Sequence, residues 1–185
     1  MKLNRDLIYI TIIVCLIAAL SQLYYSLVWQ PNWQEAKNRE VSIYYSREVA
    51  ANELVIDQIH QADKYVYFAI YTFTREDIKD ALIAAKLRGL DVHGLIDRKQ
   101  SMELEPQAKI VAELQGAGIP IEFNDHSAIM HLKTLVTDKS FVSGSYNWTA
   151  SATERNDEVL EIGRDEKLRR SYQKLLETLL RKYSY

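Results

Sequence analysis

The chain has 185 residues, room for one domain of ordinary size and an appendage. With 48% hydrophobic and 26% charged residues, six Gly and three Pro, it falls outside the disordered, low-complexity and loop-dominated classes. Formal net charge is −2, and beyond Pro31 there are 21 basic against 24 acidic residues, so any nucleic-acid role must rest on a local basic patch.

Leu7 to Trp29 carries no charge across 23 residues, behind Lys2 and Arg5. About 20 apolar residues span a bilayer, and Tyr24, Tyr25 and Trp29 suit the aromatic belt at the far interface. Residues 1–29 are therefore expected to form one N-terminal transmembrane or signal helix. It is either an uncleaved signal anchor or a signal peptide cut near Ala19-Leu20-Ser21. The run continues through Leu23, Leu27 and Val28, which favours the anchor. Lys2 and Arg5 on one side, and Lys37, Arg39 and Arg47 on the other, leave the orientation open. Both signal readings put the following domain outside the cytoplasm, periplasmic or extracellular. The single cysteine, Cys15, lies in this run, which excludes an internal disulfide and a Cys-based zinc site. Residues 30–40, polar and holding Pro31, are expected as a linker, and 41–185 as the catalytic domain.

Val41-Ser42-Ile43-Tyr44-Tyr45 alternates as a strand. Ser46 is placed to cap a helix reaching about His60, with Val49, Leu54, Val55 and Ile59 as its apolar stripe. Lys64 to Phe73 is aromatic and β-branched, a buried strand. Thr74 is placed to cap a helix that turns Ile78, Ala81, Leu82 and Ala85 inward and ends at Gly89. Leu90 to Ile96 predicts a strand, and a long connection then leads to Pro106, which opens a helix through Leu114. Strands follow at Ile119 to Phe123, Met130 to Thr137 and Phe141 to Ser143, the last two around a tight Asp138-Lys139-Ser140 turn. A short helix over Asn147 to Thr153, a strand over Glu158 to Ile162 and a helix capped by Asp165 complete the chain. Strands that alternate with helices predict the α/β class, a mixed β-sheet flanked by helices.

His131 and Lys133 stand two apart in an apolar, alternating segment, so an imidazole and an ammonium are expected side by side on one face of a strand. That pair suits attack on a phosphodiester, with the ammonium on the phosphoryl oxygens. Imidazole titrates near ~6.5, so near neutral pH such a ring is available in both its neutral and its protonated form.

The order His131-x-Lys133-x-x-x-x-Asp138, then Gly144-Ser145-x-Asn147-Trp148-Thr149, then Asn156-Asp157-Glu158, resembles the phospholipase D superfamily. The likeness is to its single-motif branch, the bacterial Nuc endonucleases and Zucchini-like proteins. It covers about Val41 to Ile162, including Phe68 to Thr74 and Ile78 to Gly89. The resemblance implies a phospholipase D/nuclease-like sandwich and a homodimer in which each copy supplies half of the site. It implies a route without metal or cofactor, through a phosphohistidine on His131. Lys133 and Asn147 would bind the phosphate oxygens, and Glu158 would hold the other ring nitrogen of the nucleophile. Asp138 belongs to the same motif set, and its turn position suits accepting backbone donors better than catalysis. Ser145 is expected as a phosphate-side donor. The family usually places six residues between this Asp and the Gly-Ser, whereas Lys139 to Ser143 makes five. The missing residue is expected to tighten the hairpin turn, because a deletion within a strand would flip its side chains.

Arg98 and Lys99 follow a strand end, where α/β sites form, and with Arg155 are candidate substrate-binding cations. The competing reading for each is a solvated charge. His126 reads as a solvated loop residue, His60 and His93 as structural, and no spacing among the four histidines supports a metal site. Lys167, Arg169 and Arg170 read as the wet face of the last helix, and Trp148 as packing beneath the motif. Three functions stay open. An endonuclease on DNA or RNA is the first. A phospholipase D-type hydrolase of membrane phospholipid is the second, favoured by the N-terminal segment and the acidic balance. The third is a catalytically weak, membrane-tethered binding dimer, against which the intact His131, Lys133, Asn147 and Glu158 argue.

Overall fold

The computed structural model describes residues 5–28 and 41–184, with the side chains of 9 and 13–24 in the first stretch. The expected linker at 30–40 lies outside these residues, as does Trp29. The chain divides into two units, Met1–Asn38 and Arg39–Tyr185. In the first, α1 (Arg5–Val28) is one helix of 24 residues along the charge-free run, with Ile13, Val14, Leu16, Ile17 and Leu20 exposed. Among the described residues no helix is long and apolar enough to cross a membrane.

The second unit is built on seven strands: β1 (Val41–Tyr45), β2 (Tyr65–Ile70), β3 (Asp91–Ile96), β4 (Ile121–Phe123), β5 (Lys133–Thr137), β6 (Phe141–Gly144) and β7 (Val159–Gly163). They form a single sheet in the order β1-β7-β6-β5-β2-β3-β4. β2, β3 and β4 are mutually parallel, and every other pairing is antiparallel. The α/β class and the mixed sheet are therefore as the sequence predicts.

Neighbouring residues on a strand face opposite sides, and the two cores follow that alternation. Phe68, Leu135 and Leu160 point to one side, where Val55 and Ile59 of α2 (Ala51–Gln61), Ile78 and Leu82 of α3 (Glu76–Leu87) and Ile110 of α5 (Glu105–Gly116) close over them. Ala69, Leu95 and Val136 point to the other, beneath Leu176, Leu180 and Tyr183 of α7 (Glu166–Tyr183). Two short helices, α4 (Arg98–Glu103) and α6 (Ala150–Glu154), lie on the connections. Trp148 is 2% exposed and packs on Phe68 and Phe73, as expected of it.

Several local expectations give way to tertiary partners. Ser46 caps no helix; α2 begins at Ala51 behind Ala50, and Ser46, just after β1, is buried against the segment that leads into β7. Thr74 caps nothing either, since α3 has Arg75 at its N-cap and the Thr74 amide donates to the Trp148 carbonyl. Arg169 leaves the wet face of α7 and donates to the Tyr65 hydroxyl and the Thr137 carbonyl. Asp165 does cap α7, accepting from the Leu168 amide.

Asp138 ties the β5–β6 turn to the start of β2. Its Oδ1 accepts from the amides of Asp63 and Lys64 at 3.0 and 3.1 Å. Burial pushes this carboxyl up, but the backbone donors of Asp63, Lys64 and Asp138 itself, with Lys139 nearby, outweigh it and hold the group below its usual range. A depressed folded value contributes stability above the unfolded pKa of ~4, and that stability is lost as pH falls through the folded value. Asp138→Ala is expected to cost about 2 kcal/mol in urea unfolding at pH 7, with the deficit shrinking below about pH 4. An unchanged unfolding midpoint at pH 7 would contradict this role.

Candidate active site

The strand register decides which residues meet. Lys133, first in β5, pairs with Ile70, last in β2. Ile70 pairs with Ile96 at the end of β3, and Ile96 with Phe123 at the end of β4. On the other side Gly144 pairs with Leu160, and Val159 with Tyr45. The C-terminal ends of β1–β4 and β6 thus share one edge of the sheet with the N-terminal ends of β5 and β7. His131, Lys133, Ser145, Asn147, Glu158 and Arg98 all lie on segments that meet this edge. Asp138, grouped with the catalytic residues by its motif, does not: it sits at the opposite edge, in the turn-fixing role that its position suggests.

His131 is exposed and its ring makes no hydrogen bond among the described residues. The strand expected from Met130 starts only at Lys133, so His131 precedes it and the two are not neighbours on one pleat. Tyr71 brings them together instead. Its ring meets the imidazole edge-on, with centroids 4.7 Å apart, and the Lys133 Nζ lies 5.0 Å from its centroid. Lys133 is 8% exposed, and its Nζ donates to the His131 carbonyl at 2.9 Å. Burial pushes the Lys133 pKa down, against an opposing pull from the Glu158 carboxylate. An ammonium has three donors, and only one is used here. Asn147 is half-buried; its Oδ1 accepts from the Thr72 amide at 3.2 Å, which leaves Nδ2 without a partner among the described residues. An unbonded imidazole, an ammonium with two donors to spare and an unbonded amide N–H thus meet at one edge among the described residues.

Within this chain Glu158 is held by its neighbours on the β6–β7 side. Its carboxylate accepts from the Ser145 hydroxyl and from the Asn156 Nδ2 at 3.1 Å, and makes no hydrogen bond to His131 among the described residues. Ser145 is its donor: the hydroxyl proton goes to Glu158 and its oxygen accepts from the Val159 amide. The pair shapes the site from the β6–β7 side. Arg155 ends α6, where its carbonyl accepts from Arg47, and its side chain makes no hydrogen bond or ion pair with the His131 group among the described residues. Gly144 permits this exit from β6, since its φ is +135° and a Cβ there would lie 2.1 Å from the Val159 carbonyl oxygen.

Sequence reasoning missed the residues that brace the site. Gln107, fully buried on α5, accepts from the Phe73 amide at 2.8 Å and donates to the Tyr71 carbonyl at 3.3 Å. Asp97, also fully buried, accepts from the Gln100 amide and, at 2.7 Å, from the Met130 amide just before His131. Ser46 holds Glu158 through two backbone bonds, one from its amide and one to its hydroxyl oxygen. Tyr71 carried a signal, an aromatic where a strand meets the motif edge; the others read as ordinary polar residues. His93 pairs with Glu122 at 3.1 Å, away from this edge. Among the described residues no group of three or more His, Cys, Asp or Glu side chains is placed to hold a metal ion.

Comparison with known proteins points the same way. Residues 55–180 match the family profile described as cardiolipin synthase, PLD-like domain. A phospholipase D of Rickettsia conorii is 32% identical over 142 residues, which is 76% of this chain and 70% of that protein. A mitochondrial cardiolipin hydrolase of Chlamydomonas reinhardtii is 26% identical over 136 residues, 73% of this chain and 60% of that protein. Among solved structures, the phospholipase D family member Nuc from Salmonella typhimurium is similar with a TM-score of 0.71 and 29% identity, covering 78% of this chain and 95% of Nuc. The mixed sheet flanked by helices agrees with the match to Nuc, and the chain belongs to the phospholipase D superfamily, within its PLD-like domain family.

Proposed function

We propose that the domain is a metal-independent phosphodiesterase that acts through a phosphohistidine on His131, with nucleic acid as its substrate. The observation that carries this reading is the exposed, unbonded imidazole beside the Lys133 ammonium, with the free Asn147 Nδ2 at the same edge. A ring nitrogen of His131 attacks phosphorus, and the bond to the leaving oxygen breaks. Lys133 and Asn147 hold the phosphoryl oxygens as charge builds on them. The leaving oxygen needs a proton, and each chain brings one exposed imidazole to this edge. A second copy of the chain, related by a twofold axis, supplies the other ring. That ring then takes a proton from water, which attacks phosphorus, breaks the P–N bond and frees His131.

Nucleic acid is preferred because Arg98 and Lys99 lie on the segment leaving β3 at the reacting edge, in a domain otherwise slightly acidic. The second reading is a phospholipid hydrolase. It draws on the names of the Rickettsia and Chlamydomonas relatives and on the exposed apolar row of α1. The charge-free run of 7–29 supports delivery of the domain outside the cytoplasm under either reading.

His131→Ala is expected to lower turnover of a phosphodiester at least about a thousandfold, with circular dichroism and dimer mass unchanged. Retained turnover would remove His131 from the chemistry. Full activity is expected in excess EDTA. Loss in EDTA that divalent metal restores would place the reaction on a different route.

A further inference from the structure

A cleft of about 390 Å³ lies on the segments that leave β3 and β4, with Arg98, Lys99, Met102, Asn124, His126 and Ile129 among its walls. Buried polar side chains build it. Asp97 joins the first turn of α4 to Met130 through its two carboxylate oxygens. Asn124, 2% exposed, accepts from the Arg98 amide at 2.9 Å and donates to the Ala128 carbonyl at 3.2 Å. Its own carbonyl accepts from Arg98 Nε at 3.0 Å, and the guanidinium lies 5.6 Å from the Phe123 ring centroid. The guanidinium is therefore held by one nitrogen, and its two Nη groups have no hydrogen bond or ion pair among the described residues.

The charge of this cleft runs against that of the domain. Among the wall residues Arg98, Lys99 and the His126 imidazole face one carboxylate, Glu103, which touches Lys99 at 3.9 Å with both side chains exposed, while the Asp97 carboxylate lies buried behind them and is taken up by backbone amides. An exposed pair of that kind contributes little and leaves Lys99 available. The walls also offer apolar surface, with Met102 81% and Ile129 49% exposed. A volume of about 390 Å³ is at the small end of ligand pockets, ~300–1,000 Å³. It has room for one nucleotide.

We infer that this cleft binds the nucleotide next to the scissile phosphodiester of a single strand. Arg98 and Lys99 take the neighbouring phosphate, and Met102 and Ile129 provide an apolar surface for the base. The inference rests on the phosphodiesterase reading of the same edge and adds to it a preference for substrates with a second phosphate.

The test uses the full chain with bis(p-nitrophenyl) phosphate, a thymidine dinucleotide and a thymidine trinucleotide, and beside these three with cardiolipin vesicles. It also measures anisotropy of fluorescein-labelled trinucleotide on the His131→Ala variant, a readout independent of turnover. Expected results are a rise in kcat/KM of about tenfold from dinucleotide to trinucleotide, carried mainly by KM. Adding Arg98→Gln should erase that rise and weaken trinucleotide binding about tenfold, and Met102→Glu should weaken it as well. Equal kcat/KM for the two oligonucleotides, or binding indifferent to Arg98→Gln, overturns the cleft while hydrolysis of the small diester keeps the phosphodiesterase reading. Failure to hydrolyse any of the three diesters, with trinucleotide still bound through Arg98, overturns that reading and keeps the cleft. Hydrolysis of cardiolipin vesicles that Arg98→Gln slows, with no trinucleotide binding, assigns the cleft to a lipid headgroup and overturns the inference.

Discussion

The pairing of antiparallel β5 beside parallel β2 is the constraint on which the site depends. Because β5 runs against β2, its first residue, Lys133, lies where β2, β3 and β4 end. Three parallel strands then deliver Tyr71, Asp97 and Asn124 to the place where the motif enters the sheet. The β5–β6 hairpin returns the chain to the same edge, with Ser145 and Asn147 just beyond it. A slip of one residue in β5 would send Lys133 to the other face and exchange the two cores beneath it. Leu135 and Val136, each fully buried and in opposite cores, oppose such a slip.

The electrostatics follow from that placement. Lys133 sits where water is scarce, so its charge is expensive to keep and its attraction to a phosphate is strengthened by the same desolvation. The Tyr71 ring face and the His131 carbonyl compensate it in part. Neither satisfies it fully, which suits a residue that must accept a dianionic transition state. His131 is in the contrasting setting, exposed and unpaired, free to meet phosphorus. The bracing bonds come from buried groups in Gln107 and Asp97, which fix backbone on either side of the reacting pair without touching it.

The sheet was legible because its strands are short apolar runs punctuated by Gly, Asn and Asp, and the motif was legible because its spacing is distinctive. Boundaries were less so. Ser46 and Thr74 each precede an apolar stripe and look like caps, yet Glu158 and Trp148 offer them stronger tertiary partners. Helix α4 carries no apolar stripe, with no buried residue, so nothing in its pattern announces it. The Asp138 turn was readable from position alone. The partner of Glu158 was not, because a carboxylate at a strand start gives no sign of which donor will reach it. Ser145 and Asn156 reach it here, and His131 does not. Asp97, Gln107 and Asn124 are polar letters in a sequence, and only the fold reveals them as buried.

The central claim is that the imidazole of His131 becomes covalently bonded to phosphorus. The direct measurement is a rapid mix of the full chain with a cleavable phosphodiester, quenched in alkaline denaturant, which preserves phosphohistidine, and followed by peptide mass spectrometry. The account predicts a transient phosphoryl adduct on the peptide bearing His131, formed and lost on the timescale of turnover. Turnover without any adduct on that peptide, at times when product is accumulating, would contradict it and point to direct attack by water.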